Sequence, residues 1–323
     1  MKTMSNGTKS RLKKIQFTGE LSLVIAFVLI CAFFSTQSEY FLTARNFIAI
    51  GQNVSVIGII AVAECVVLIS GGLDLSVGAM TGLSSVVTGR LAVSLGVPIG
   101  LAILAGLVVG ALLGYVVAVI VTRIGINPLI TTLGFLSINR GTAFVMSGGL
   151  AIQMTASNFK WLGRGNVFGV PVPIILMLFL YIAAYIVMKY TGFGRAIYAI
   201  GGNPQASRLA GVNVTGIQTV LYIFCGMTAA FGGIVVASQL GAAAPQTGTG
   251  LELSVIAAVI LGGTSLQGGS GNMLGTLLGV VILGTVNNGL VLMNVSSFYQ
   301  MIASGVILVL AVGVDQIRLR LRR

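Results

Sequence analysis

The chain of 323 residues is 56% hydrophobic and 7% charged, with a mean hydropathy of +1.04. A soluble core of this size cannot dispose of so much apolar surface, so the composition points to a polytopic membrane protein. Histidine is absent and the cysteines (Cys31, Cys65, Cys225) all fall in hydrophobic runs, which excludes histidine-based catalysis and metal sites and leaves no disulfide framework.

The chain begins with a basic tail over 1–18, carrying Lys2, Lys9, Arg11, Lys13 and Lys14. No small-residue cleavage site follows the first apolar run, so that run reads as a retained span and no signal peptide is expected. The expected spans are 19–36, 52–70, 73–95, 98–122, 127–147, 171–190, 217–241, 252–263, 273–293 and 298–317. The fold class is therefore all-α, a polytopic membrane protein of about ten transmembrane helices forming one transmembrane domain over 19–317. The eighth span is shorter than the roughly 20 residues a crossing needs, so it is either extended by its flanks or broken. A second basic tail, 318–323, closes the chain.

Ten crossings put both termini on one side, and the basic residues say which. With the N-terminus inside, both tails and Arg123, Lys189, Arg195 and Arg208 are cytoplasmic, while Arg45, Arg90, Lys160 and Arg164 are outside and Arg140 lies within a span. That asymmetry satisfies the positive-inside rule and accounts for the net charge of +12 without invoking nucleic acid.

Two stretches resemble each other. Ile69-Ser70-Gly71-Gly72-Leu73-Asp74-Leu75-Ser76-Val77-Gly78 recurs as Ile260-Leu261-Gly262-Gly263-Thr264-Ser265-Leu266-Gln267-Gly268-Gly269, with Ile, three Gly and Leu in common. Each joins two spans, and the copies face the same way, so spans 1–4 and 7–10 are expected to be parallel repeats. Such a stretch is either a tight turn or a helix broken inside the bilayer where its backbone lines a cavity. Asp74 and Ser265 occupy equivalent positions. Each suits the N-cap of the following helix, or alternatively a polar lining of a transport path together with Ser76 and Gln267. The late polar positions Asn287, Asn288 and Gln300 either face a hydrated path or bridge helices.

Glu64 and Arg140 are the other charges inside apolar spans. Counted from the outer ends, they lie about 18 Å and about 10 Å deep, a gap that two long side chains can bridge, and each is costly to leave bare in lipid. A buried Glu64–Arg140 pair is the expectation. The longest outside loop, 148–170, carries the only tryptophan, Trp161, which reads as an interface anchor.

The longest polar interruption of the second half is 191–216, on the cytoplasmic side. Within it, Asn203-Pro204-Gln205-Ala206-Ser207-Arg208-Leu209-Ala210-Gly211 reads as one short helix. Asn203 suits the N-cap, Pro204 the first helical position and Gly211 the left-handed stop. So short a helix cannot persist alone, and Ala206, Leu209 and Ala210 share one face. It is either a connecting turn resting on its own protein or a knob offered to a soluble partner.

Three signatures now coincide: ISGGLDLSVG at 69–78, GGNPQASRLAGVNV at 201–214 and ILGGTSLQGGSG at 260–271. In this order they resemble the membrane permease subunits of bacterial sugar ABC importers, the ribose-type family, over about Phe41 to Asp315. The Arg140-Gly141 pair is also similar to that family, whereas Glu64 departs from its usual neutral residue. The resemblance implies two permease subunits around a path, here a second copy of the chain. It also implies a cytoplasmic ABC ATPase below and a periplasmic sugar-binding protein above, in the bacterial inner membrane. It places the ATPase-coupling segment on Asn203 to Gly211. The chain has no GxxxxGK[ST] phosphate loop, so ATP is expected on the partner ATPase and no cofactor on this chain. The competing readings are a stand-alone proton-coupled transporter using Glu64 or Asp74, and an ABC permease for branched-chain amino acids.

Overall fold

In a computed structural model, residues 6–154 and 157–322 are described. The basic residues of the two tails lie outside the residues whose side chains are described. The helices are α1 (Asn6–Gln37), α2 (Ala44–Ile69), α3 (Val77–Gly89), α4 (Ile99–Val119), α5 (Pro128–Ser147), α6 (Ser157–Arg164) and α7 (Val172–Tyr190). They continue as α8 (Gly192–Gly202), α9 (Pro204–Leu209), α10 (Val214–Leu240), α11 (Leu251–Leu261), α12 (Met273–Leu292) and α13 (Ser297–Arg322). A π-turn extends α3 over Arg90–Ser94 and another extends α4 over Ile120–Ile124. Among the described residues, α2, α4 with its π-turn, α5, α7, α10 and α12 are long and apolar enough to cross a membrane.

Local chemistry sets most of these boundaries. Thr43, Asn127, Asn203, Asn213 and Asn272 each accept a hydrogen bond from a first-turn amide of α2, α5, α9, α10 and α12, respectively. Pro128 and Pro204 occupy first positions that need no amide donor.

The centre is built from α2, α3 and α10. All thirteen residues of α3 are buried, and α10 packs along α2, α3 and α4. The α4–α10 seam depends on small residues. Gly106, Gly110 and Gly114 recur one turn apart on the buried stripe of α4, and a Cβ on Gly110 would meet the Gly226 carbonyl. Lipid tails offer no hydrophobic drive between helices, so such backbone-to-backbone approach supplies the attraction. Much of α4, α5 and α7 is left exposed on the outside of the bundle.

Two short antiparallel pairs gather at one end. Ile152–Gln153 (β1) pairs with Ala242–Ala243 (β4), and Asn166–Val167 (β2) with Val170–Pro171 (β3). α6 is pinned to the end of α10 there, with the Gly163 amide donating to Ser238 Oγ at 2.7 Å. At the opposite end lie α8, α9 and the two glycine-rich turns, 70–76 and 262–272.

The short eighth span is resolved as a break. α11 is eleven residues long and is preceded by a non-helical segment, 244–250, which packs into the bundle.

Candidate coupling junction and polar sites

The two glycine-rich turns meet. The Gly269 amide donates to the Ile69 carbonyl at 2.8 Å, and a Cβ on Gly268 would stand 2.9 Å from Gly71 Cα. α8 closes on the same point: a Cβ on Gly201 would overlap both the Ile69 carbonyl and the Gly269 amide. Tyr198 Oη donates to the Gly271 carbonyl at 2.8 Å. Burial pushes the Tyr198 hydroxyl up to about 12, so it remains a donor throughout the physiological range. On the other side of the junction, Cys65 of α2 lies 3.5 Å from Thr264 Oγ1 and accepts from Thr276 Oγ1 at 3.1 Å. Movement of α8 must therefore be felt by both turns at once.

α9 hangs from this junction. Asn203 Oδ1 accepts from the Ala206 amide at 2.9 Å, and Gly211 takes φ +82° just past the helix end. Only Ser207 of the helix is buried. Gln205, Ala206, Arg208, Leu209 and Ala210 are exposed, Leu209 at 91%. The shared face of Ala206, Leu209 and Ala210 is thus turned away from the protein, contrary to what a connector resting on its own chain requires.

The other polar residues separate into different places. Asp74 and Ser76 are buried in the first turn, where Asp74 Oδ1 accepts from the Ser76 amide at 2.9 Å and from Ser76 Oγ at 2.6 Å. Ser265 is buried in the second turn and Gln267 is exposed there. Neither Asp74 nor Ser265 caps the following helix. α3 starts after Ser76, which makes no side-chain capping bond, and α12 is capped by Asn272. The equivalence of Asp74 with Ser265 also fails. Left-handed glycines follow the two helices at Gly71 and Gly263, two residues after Ile69 and Leu261, which shifts the structural register by one from the sequence register. Asn287 is half-buried and Asn288 buried on α12, while Gln300 Nε2 donates to the Val295 carbonyl at the start of α13.

The expected Glu64–Arg140 pair is not formed. Glu64 is fully buried, with Oε1 accepting from the Asp74 amide at 3.1 Å and Oε2 from the Cys225 thiol at 3.5 Å. Arg140 points elsewhere: its Nη1 donates to the carbonyls of Pro245 and Thr247 at 2.7 and 2.8 Å. The charge that acts on it is Glu252, at the start of α11. Depth alone matched the two residues, but each is held by different partners. Sequence reasoning also missed Tyr198, Gly201 and the 244–250 segment.

The family model described as a branched-chain amino acid transport system permease component matches residues 46–312. The chain is 42% identical over 300 residues to the ribose import permease protein RbsC of Escherichia coli K12, covering 92% of this chain and 93% of that protein. It is 38% identical to the ribose import permease protein RbsC of Bacillus subtilis 168, covering 94% and 96%, respectively. It is also 35% identical to the D-allose transport system permease protein AlsC of Escherichia coli K12, covering 90% and 89%. No solved structure matches the chain. With nearly its whole length aligned to these proteins, the chain belongs to the permease-component family of binding-protein-dependent transport systems.

Proposed function

We propose that this chain is the permease subunit of an ATP-binding-cassette importer that carries a monosaccharide across the bacterial inner membrane. The observation that carries this reading is α9: a helix too short to persist undocked, with both ends written in and its apolar face exposed. Docked on an ATPase, it would pass the ATPase's closure through α8 to the two glycine-rich turns. The relatives named for ribose and allose point to a monosaccharide rather than an amino acid as cargo. A binding protein delivers the sugar from outside, and ATP is bound by the partner ATPase. The chain itself is a transport component and catalyses nothing.

The finer topology is part of the same proposal. Ten crossings leave both termini, the two glycine-rich turns and α8–α9 in the cytoplasm. Two inter-loop contacts support that sidedness, β1 with β4 at one end and Gly269 with Ile69 at the other. A parallel repeat of spans 1–4 and 7–10 is supported by packing: α1 lies on α12 while α10 lies on α3, the first helix of each repeat against the third helix of the other. A second copy of the chain completes the path. In labelling experiments, a cysteine at Phe168, on the β2–β3 turn, should react only from outside and one at Gln205 only from inside.

Reconstitution tests the function. Vesicles holding the permease, its ATPase and sugar-loaded binding protein should accumulate sugar only with ATP. Accumulation by the permease alone, driven by a proton gradient, would contradict the proposal and favour a stand-alone transporter.

A further inference from the structure

The segment 244–250 descends along a glycine-bearing side of α3. Gly89 adjoins Ala243, Gly82 adjoins the carbonyls of Pro245 and Thr247, and Gly78 adjoins the Gly248 carbonyl. From Gly89 to Gly78 is about 16 Å along the helix axis at ~1.5 Å per residue. The chain therefore enters from the β1–β4 end and turns into α11 near mid-depth. α11 then supplies the remaining distance, about 16 Å at the same rise. A side chain at Gly78, Gly82 or Gly248 would obstruct this course.

Arg140 holds the segment by two backbone carbonyls, and Thr81 Oγ1 adds a third bond to the Thr247 carbonyl at 3.3 Å. Glu252, one residue past the start of α11, keeps Oε2 buried and without a hydrogen-bond partner, and its carboxylate acts electrostatically on Arg140. On the open side, Gln246 and Thr249 are exposed. Thr249 Oγ1 donates to the Gln246 carbonyl at 2.7 Å, which leaves the hydroxyl as an acceptor. Non-helical backbone at this depth does not face lipid; it lines water or is covered by protein.

We propose that 244–250 forms a wall of the sugar path at mid-depth, that Gln246 and Thr249 exchange hydrogen bonds with the hydroxyls of the passing monosaccharide, and that Arg140 is the positioning residue for this wall. The proposal deepens the importer reading and rests on it. A neutral, hydroxyl-rich solute suits such a lining, because the Arg140 charge is spent on the segment's own backbone carbonyls and the exposed Gln246 and Thr249 are neutral.

The test uses the assembled complex in vesicles, with Gln246→Cys and Thr249→Cys exposed to a charged, membrane-impermeant thiol reagent. The wild-type chain gives the blank, Phe168→Cys the aqueous control and the outward-facing Leu112→Cys the lipid control. Because only the hydrated thiolate reacts, both path positions should label within about tenfold of Phe168→Cys, while Leu112→Cys stays near the blank. Added Arg140→Gln should change the rate at Gln246→Cys and Arg140→Lys should partly restore it; equal rates in all three would remove the positioning role. Gln246→Ala with Thr249→Val should lower radiolabelled ribose carried per ATP hydrolysed. No labelling at either position, or an unchanged ratio, would overturn the proposal. A wild-type complex that hydrolyses ATP but carries no sugar counts against the importer reading alone, and the labelling rates still decide where the water path runs.

Discussion

The Gly269 amide reaches the Ile69 carbonyl at 2.8 Å, joining two turns that are nearly 200 residues apart in sequence. That bond sits directly against Gly201 of α8, so the backbone of the helix leading into α9 touches both turns, and Tyr198 Oη adds a side-chain bond to the second. Backbone contact transmits displacement without the slack of long side chains.

Gly201→Ala should therefore be damaging although it adds one methyl group. The new Cβ would overlap the Ile69 carbonyl, and neither backbone can retreat without breaking the junction. Overpacking of this kind costs about 1–3 kcal/mol. Thermal melts in detergent should show the loss, whereas Gly202→Ala, which meets open space, should melt close to wild type.

Asp74 organises the first turn through one oxygen, which accepts from both the amide and the hydroxyl of Ser76. Asp74→Asn keeps an acceptor at that position and should assemble and transport nearly normally. Asp74→Ala leaves a buried amide unpaired and should destabilise by about 1–3 kcal/mol. An Asp74→Asn complex that assembles but does not transport would show that the charge itself is needed.

Glu64 and Arg140 share no partner, so their variants should add. Glu64→Gln keeps a hydrogen-bond acceptor for the Asp74 amide and removes a buried carboxylate that no cation faces among the described residues; its melt should match or exceed wild type. Arg140→Gln should destabilise by releasing two carbonyls. The double variant should equal the sum within about 0.5 kcal/mol. Rescue of one by the other would restore the paired reading.

What could be read from the sequence was mostly local. Asn203, Pro204 and Gly211 bracket a helix by rules that involve only neighbouring residues, and the helix forms at Pro204–Leu209. Its inward side was not legible, because Ser207 is buried by the surrounding fold rather than by its own pattern. Arg140 misled for a different reason. Its partners are backbone carbonyls, which carry no sequence label, and a charge inside a span invites a search for the opposite charge. The signal that was available lay in Gly241-Ala-Ala-Ala-Pro-Gln-Thr-Gly-Thr-Gly250, a helix-poor run just before a span too short to cross. Asn272, directly before an apolar run, likewise marked the start of α12 better than Ser265 did.

The central claim is that α9 couples this permease to an ATPase, and Leu209 tests it most directly. Its side chain is almost fully exposed, and burying it against a partner is worth about 1.5–3 kcal/mol. Leu209→Asp forfeits that contact and sets a carboxylate against the partner. The chain should still insert and melt like wild type, since the side chain touches little of its own protein. Sugar-stimulated ATP hydrolysis in vesicles should fall at least about tenfold, the equivalent of ~1.4 kcal/mol. Wild-type stimulation by Leu209→Asp would contradict the account and leave α9 a connector.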